Sequence, residues 1–376
     1  MRPLAYLDHN ATSPLRPAAW DAMAEAMRAG GNPSSVHASG RRARAIVDKA
    51  RREVASLAGA EPSEIVFTSG GTEANNLALS GAGRRRVLIS AVEHDSVRRP
   101  VPQAEVLPVD GEGVLDLAAL ERALAASAEP VLLSVMLANN ETGVLQPIAE
   151  VVRLARRAGA LVHCDAVQAA GKVPVDLRDL GVDYLSLSAH KIGGPTGGGA
   201  LLVRKGAPLS PALRGGGQES NRRAGTENVA GIAGFGAAAV LAAPGLGLGA
   251  LRDKLELSLV QIAPAARVFG AGAPRLCNTS CVSMPGIAAE TQIMALDLAG
   301  VCVSAGAACS SGKVQRSPVL EAMGVPAAEA ACAIRISLGW NTESADIERL
   351  ITAWQDLYIR VQQSDIFHTG SRARAA

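Results

Sequence analysis

Aromatic side chains make up only 3% of this 376-residue chain, so its interior has to be packed from alanine, leucine, valine and glycine. That composition suits a large α/β core of small and branched side chains, and the length predicts two domains. An excess of one charge is also missing. The formal net charge of +2 gives no argument for a nucleic-acid partner or a charged membrane surface. Six cysteines at irregular spacing make neither a disulfide scaffold nor a C-x2-C zinc pair, which predicts a reducing, cytoplasmic setting and no metal site. No charged-then-apolar leader opens the chain, so no signal peptide is expected. No G-x-G-x-x-G follows a strand in the first half, which leaves a dinucleotide-binding fold with little support. The stretch Asn228–Leu251 carries no charge and reads as a membrane span on hydropathy alone. Its glycines, alanines and Pro244 instead predict a buried helix over Val229–Ala242 followed by a turn.

Lysine is the scarcest charged type. Only six of the 37 basic residues are lysines, at 49, 172, 191, 205, 254 and 313. Lys191 stands out because Ser188 and His190 precede it and glycines follow it, in SLSAHKIGGPTGGG (186–199). An amine in a tight, partly desolvated turn can lose its proton and form a Schiff base, while Ser188 and His190 can donate to a phosphate. A surface lysine in a glycine-rich loop is the plainer reading of this stretch alone. Elsewhere, the apolar run Ile65–Thr68 leads through Ser69-Gly70-Gly71-Thr72-Glu73 into a helix, an arrangement whose free N–H groups can cradle an anion.

Short apolar runs then alternate with helical segments: Val87–Ala91, Glu105–Val109, Val131–Ala138, Leu161–Asp165, Tyr184–Ser188 and Leu201–Val203. Near-continuous hydrophobic strands of this kind predict a mostly parallel sheet flanked by helices, with ligands beyond the carboxyl ends of the strands. Polar clusters fall at those ends: Glu93-His94, Asn139-Asn140-Glu141, Asp165 with Gln168, and Ser188–Lys191. A carboxylate such as Asp165 can keep a heterocyclic nitrogen protonated and make the ring an electron sink. Gln168 can bond a ring hydroxyl, and His94 can stack on the ring or shuttle a proton. Each has a plainer role by itself: Asp165 as a helix cap, Gln168 as a surface residue, His94 as a turn histidine. Jointly, with Lys191, they describe a pyridoxal 5'-phosphate pocket. After Pro244 the pattern changes to a smaller α+β domain, with a helix over Ala250–Ile262, strand-like Val268-Phe269, Asn278–Met284, Cys302-Val303-Ser304 and Ile334–Leu338, and a polar, frayed tail after Ser364.

The motifs SGGTEANN (69–76), NNETG (139–143), HCDAVQ (163–168), SLSAHKIGG (186–194) and GGGQESNRRAGTEN (215–228) resemble those of the class-V aminotransferase-type enzymes that use pyridoxal phosphate. More narrowly, they resemble the NifS/IscS-type cysteine desulfurases. The resemblance runs from YLDHNAT to RISLGW (335–340), with the motifs in matching order. It implies an α/β transferase of fold type I, with an N-terminal segment 1–15 joining the small domain and the active-site rim, a large cofactor domain 16–248 and a small domain 249–376 that carries the catalytic cysteine. Lys191 resembles the Schiff-base lysine, Asp165 the ring-nitrogen partner, Gln168 the ring-hydroxyl partner and His94 the stacking histidine. Thr72, Ser188 and His190, with the backbone of Gly71, resemble the phosphate ligands. Thr226 resembles a phosphate ligand supplied by the other subunit of a homodimer. Asn140 and Arg335 resemble the pair that holds the substrate carboxylate, a task for which the planar guanidinium is suited.

Cys309, in SAGAACSSGK (304–313), matches the nucleophile that takes sulfur from L-cysteine as a persulfide and leaves L-alanine. Its serine, glycine and alanine neighbours predict a mobile, exposed segment. The other cysteines read as structural, with Cys164 and Cys302 in strand-like contexts and expected in the core. The resemblance further implies a protein sulfur acceptor, a NifU- or IscU-like scaffold or a SufE-like carrier, serving iron–sulfur cluster assembly or another thiolation pathway. No nucleic acid or membrane is expected as a partner. The alternative activity on the same scaffold is that of a selenocysteine lyase. An aminotransferase or a kynureninase-like hydrolase needs no Cys309, and a binding or regulatory protein needs neither Lys191 nor Cys309. The C-terminal segment departs from the tail by which housekeeping IscS-type members engage their scaffold, which leaves the acceptor open.

Overall fold

The computed structural model describes residues 4–242, 247–306 and 316–372, the last nine of these by backbone alone. Cys309 lies outside the described residues. The chain divides into two compact units, one of Met1–Ala11, Glu141–Gly143 and Leu246–Ala376, the other of Thr12–Asn140 and Val144–Gly245.

The chain begins with the short strand β1 (Ala5–Tyr6), which belongs to the smaller unit. The larger unit is organised around a seven-stranded sheet. Its strands are β2 (Ile65–Thr68), β3 (Arg86–Ser90), β4 (Glu105–Leu107), β5 (Val131–Ser134), β6 (Leu161–Asp165), β7 (Tyr184–Ser188) and β8 (Gly199–Val203). Their order across the sheet is β2-β8-β7-β6-β5-β3-β4, and only β8 runs antiparallel to its neighbours. Apart from the edge strand β4, whose Glu105 and Val106 are exposed, the strands are buried along almost their whole length because helices cover the sheet, which is why they read as apolar runs without alternation. Helix Gly71–Gly81 buries Ala74, Leu77 and Ala78 in a cluster with Val66, Ile89, Tyr184 and Leu201.

The charge-free stretch forms helix Val229–Leu241. Helices Pro17–Ala29 and Ala38–Leu57 pack on it so closely that a Cβ at Gly236 would lie 2.7 Å from the Ala50 Cα, and one at Gly234 would lie 2.6 Å from the Met23 Cγ. Its lack of charge thus follows from being enclosed by protein. Among the described residues no helix is long and apolar enough to cross a membrane.

In the smaller unit, β1 pairs in parallel with β10 (Val301–Cys302), while β9 (Thr279–Ser283), β12 (Ala333–Ser337) and β11 (Ser304–Ala305) form an antiparallel sheet in the order β11-β12-β9. Ala5, Leu255, Val282, Leu296, Ile336 and Trp354 are among its buried core residues. Several expectations are corrected here. Cys302-Val303-Ser304 is split between two sheets, and Cys302 is only half-buried where a core position was expected. Val268-Phe269 forms no strand; Val268 makes an isolated bridge to Val282. β5 ends at Ser134, since the next residues leave the ladder and Ala138 bridges Leu145 instead. The last helix runs from Ser344 to Arg372, well past Ser364 where fraying was expected; the stretch contains no proline to stop it.

Candidate active site

The polar residues of the larger unit gather where strand register places them. Thr68, the last residue of β2, is paired with Gly199, which is paired with Ser188 at the end of β7. Asp165, the last residue of β6, is paired with Ser186. Glycine is required at the turn beside them. A Cβ on Gly199 would sit 2.5 Å from the Gly70 carbonyl carbon, and one on Gly71 would sit 2.7 Å from the Val167 Cγ2 and 3.4 Å from the Ser188 Cβ. The turn before helix Gly71–Gly81 is thereby pressed against Val167 and Ser188. The N–H groups of that helix's first turn have no carbonyl partner within the helix, so they and the helix dipole present positive potential beside Ser188. The Ser188 hydroxyl is buried and has no hydrogen-bond partner among the described residues. An orphaned buried hydroxyl costs on the order of 1–3 kcal/mol, which an anionic ligand accepting from it would recover.

His190 and Lys191 follow in a short 3-10 turn, Ala189–Lys191. The His190 Nδ1 lies 3.1 Å from the Thr12 Oγ1, and the Ser13 N–H donates to the His190 carbonyl at 2.8 Å. Burial, with the Lys191 charge acting in the same direction, lowers the His190 pKa to about 4, so the ring is neutral at neutral pH. Gly193, at φ +82°, holds the exit from this turn; its carbonyl accepts from the Arg16 N–H at 2.8 Å.

A hydrogen-bonded chain joins Asp165 to His94. Asn75, buried on helix Gly71–Gly81, donates from Nδ2 to the Asp165 Oδ2 at 2.7 Å and to the Ser96 Oγ at 2.8 Å. The Ser96 hydroxyl lies 2.8 Å from the His94 Nδ1, and the Ser96 N–H donates to that nitrogen at 3.1 Å. An Nδ1 that accepts from the backbone puts the proton of the neutral ring on Nε2. The Asp165 Oδ1 also accepts from the Val167 N–H at 2.9 Å. Gln168 is buried, and its Oε1 accepts from the Lys172 Nζ at 2.8 Å. Glu93 lies fully buried behind this group, its Oε1 accepting from the Met136 N–H at 2.7 Å. Burial raises its pKa well above the usual carboxylate value, against the lowering by the Met136 hydrogen bond, and the Asp165 charge pushes it further up.

The loop carrying Thr226 is anchored at two points. Residues Glu219, Ser220 and Asn221 all have left-handed backbone, at φ 48°, 56° and 63°. The Glu219 carboxylate holds that turn by accepting both guanidinium arms of Arg51, at 2.8 and 2.6 Å, and the Phe67 N–H at 3.0 Å. Arg223 donates from Nε to the Glu73 Oε1 at 2.8 Å. Burial would raise the Glu73 pKa, but hydrogen bonds from Arg223 and Ser69 outweigh it and leave it lowered. Thr226 itself is exposed, in a cleft of about 200 Å³ lined by Thr68, Ser69, Gly198 and Gly199.

The structure therefore brings Gly71, Thr72, His94, Asp165, Gln168, Ser188, His190 and Lys191 to one rim, with Asn140 half-buried after β5 in the same unit. Arg335 belongs to the other unit, on β12, where its Nη2 donates to the Asp8 Oδ1 at 2.8 Å. Sequence reasoning missed Asn75, Ser96 and Asp8. Asn75 left a readable signal, as a polar residue on the apolar face of its helix between Ala74 and Leu77-Ala78. Asp8 left none, since its partner is 327 positions away.

The family described as Aminotransferase class-V matches residues 5–350. A protein of Cereibacter sphaeroides named cysteine desulfurase is 48% identical over 363 residues, covering 92% of this chain and 93% of that protein. A protein of Dictyoglomus turgidum named cysteine desulfurase IscS is 41% identical over 366 residues, covering 92% of each. Among solved structures, a NifS-like protein from Rickettsia africae superposes with a TM-score of 0.87 at 37% identity, covering 94% of this chain and 99% of that one.

Proposed function

We propose that this chain, which belongs to the class-V aminotransferase family, is a cysteine desulfurase that converts L-cysteine to L-alanine and holds the sulfur as a persulfide on Cys309. Members of the family use pyridoxal 5'-phosphate, which when bound supplies an electron sink for charge developing on the substrate. The larger unit fits that group: an orphaned Ser188 hydroxyl beside a helix N-terminus suits a phosphate, and a buried carboxylate lies on the same rim. The orphaned Ser188 hydroxyl, set by strand register beside the Gly71 turn, is the observation that carries the reading.

In this reading Lys191 anchors the cofactor covalently. Gly71, Thr72, Ser188 and His190 hold its phosphate, joined by Thr226 from the second subunit of a homodimer. Neutral His190 donates rather than adding charge. Asp165, held in place by Asn75 and the Val167 N–H, keeps the ring nitrogen protonated, and Gln168 bonds the ring hydroxyl. His94 stacks on the ring with its Nε2–H free to shuttle a proton, since Ser96 occupies Nδ1. Asn140 and Arg335 hold the substrate carboxylate, with Asp8 fixing the guanidinium plane. The Cys309 thiolate attacks the substrate sulfur. A sulfur–sulfur bond forms, the carbon–sulfur bond breaks with its electron pair moving to carbon, and protonation there yields alanine. The persulfide is then passed to a protein sulfur acceptor.

Intact-protein mass spectrometry after L-cysteine without reductant, with alanine assayed in the same tube, tests this. The expected result is a one-sulfur mass gain mapping to Cys309, with alanine formed. A chain that binds the cofactor yet gains no mass and makes no alanine would overturn it.

A further inference from the structure

The end of β5 turns one backbone donor toward a strand that has already stopped. β5 lies between β6 and β3, and its pairing with β3 ends where Ser134 meets Ile89. Beyond that point the chain still follows β6. The Val135 N–H donates to the His163 carbonyl at 3.0 Å, and the Leu137 N–H to the Asp165 carbonyl at 2.9 Å. N–H groups alternate sides along an extended chain, so the Met136 N–H between them points toward the β3 side. There the chain after β3 has turned to β4, with the Ala91 N–H donating to the Leu107 carbonyl at 2.9 Å. The Met136 N–H meets a side chain instead, and the Glu93 Oε1 accepts from it at 2.7 Å. A second strut runs the other way, from the Asn139 Nδ2 to the Val92 carbonyl at 3.1 Å. Glu93 and Asn139 are both buried. Two hydrogen bonds thus cross between residues 92–93, which lead into His94, and residues 136–139, which lead into Asn140.

A carboxyl group is a costly choice for this strut. The Glu93 Oε2 is buried with no hydrogen-bond partner among the described residues, and burying such a group is unfavourable. An apolar side chain would fill the space without that cost, but would leave the Met136 N–H without its acceptor. We propose that Glu93 is a positioning residue, bracing the turn that presents His94 against the segment that ends in Asn140. The inference rests on the reading of His94 as the residue stacked on the cofactor ring and of Asn140 as a holder of the substrate carboxylate. The Leu137 bond to the Asp165 carbonyl extends the same frame to Asp165. The brace needs reach and an acceptor oxygen. It does not need charge, because a carboxyl oxygen accepts from an N–H whether the group is neutral or ionised. Loss of the brace lets the two groups drift relative to each other, and small misplacements of positioning groups lower rates steeply. Lys191, which anchors the cofactor in the same reading, lies on a different turn, so the cofactor itself should stay bound.

The test uses holoenzyme carrying Glu93→Gln, Glu93→Asp or Asn139→Ala. Glu93→Gln keeps the length and an acceptor oxygen. Glu93→Asp keeps the carboxyl group but is one methylene short of the Met136 N–H. Asn139→Ala removes the second strut alone. The readouts are the visible absorption band of the bound cofactor, its visible circular dichroism, which follows how the ring is held, and kcat and KM for alanine formation from L-cysteine. Glu93→Asp is expected to keep the absorption band, lose about half of the dichroism, raise KM about fivefold and lower kcat about tenfold. Glu93→Gln should keep the dichroism and stay within about threefold of wild type in both constants. Asn139→Ala should move the same readouts in the same direction by less. Where Glu93→Asp does not fold, Asn139→Ala decides, and wild-type behaviour there would overturn the proposal. Wild-type dichroism and constants in folded Glu93→Asp would also overturn it, as would losses that merely track lost cofactor. A Glu93→Gln variant as impaired as Glu93→Asp would assign the role to the acid itself and sink the brace. If wild type makes no alanine, the proposed function fails, while the dichroism of the variants still decides whether Glu93 braces the site.

Discussion

The two units assemble their polar residues by different means. In the larger, a parallel sheet sets the positions: Thr68, Ser188 and Asp165 share a rim because they end strands in register, and glycine at 71 and 199 lets the turn between strand and helix close against them. In the smaller, the sheet has short strands and long-range side-chain ties do the joining: Arg335 to Asp8, and Ser317 to Glu141. A register-built rim depends on backbone that neighbouring strands and covering helices hold in place. A tie-built arrangement depends on single side chains, so it should be easier to uncouple without unfolding the protein.

The sharpest test of that contrast pairs one change from each side. Lys191→Ala should abolish the visible band of the bound cofactor and lower alanine formation by on the order of 10³-fold or more. Cys309→Ser should keep the band and lose persulfide formation and sulfide release to a similar extent. If Cys309→Ser also loses the band, cofactor binding and sulfur chemistry are not separable in the way the two units suggest. Removing the link between Asp165 and His94 should do less. Asn75→Leu leaves the buried Asp165 Oδ2 and Ser96 hydroxyl short of a donor, which should cost about 1–3 kcal/mol in urea unfolding and slow turnover about tenfold. Unchanged activity would show that the Val167 N–H alone holds Asp165.

The sheet interior can be probed through pH. His163 is fully buried between the Ser134 Oγ at 2.8 Å and the Ser186 Oγ at 2.9 Å, and burial lowers its pKa to about 4 although the Asp165 charge acts against this. A histidine with a depressed folded pKa stabilises the fold fully above its unfolded value of about 6.5 and loses that contribution as pH falls toward 4. Unfolding free energy should therefore drop by on the order of 3 kcal/mol over that window, and His163→Gln should flatten the drop. An equally steep fall in the variant would assign it to other groups. At the small end, the Arg178–Glu61 pair lies on the surface of the larger unit, both partners more than half exposed, so Arg178→Ala should shift stability by less than about 1 kcal/mol. A larger loss would mean that surface ties also support the rim.

Much of the large unit is legible in the sequence. Ile65–Thr68, Leu161–Asp165 and Tyr184–Ser188 read as strands to the residue, because strands buried on both faces are written as uninterrupted apolar runs. The rim residues are legible for the same reason, as polar groups placed where those runs stop. In the smaller unit Cys302-Val303-Ser304 reads as one strand yet divides between two sheets, and Val268-Phe269 reads as a strand yet pairs only through one bridge. Short stretches on partial sheets carry too little periodic signal for the sequence to say which neighbour they will meet. The departure of Glu141–Gly143 into the smaller unit is invisible for a related reason, since no local preference marks a chain that changes units for three residues.

What the sequence determined by itself is the set of local commitments: apolar strands, a helix free of charge, glycines at a strand-to-helix turn, and the motifs that mark the class-V aminotransferase family. Tertiary structure alone decided which of these meet. It set Asn75 between Asp165 and Ser96, left the Ser188 hydroxyl buried without a partner among the described residues, and brought the Ser317 hydroxyl to the Glu141 carboxylate. The physical reason is range. Backbone propensity and hydrophobic period act over a few residues, whereas a hydrogen bond between residues 176 positions apart, as from Ser317 to Glu141, exists only once register and packing have closed the chain around it.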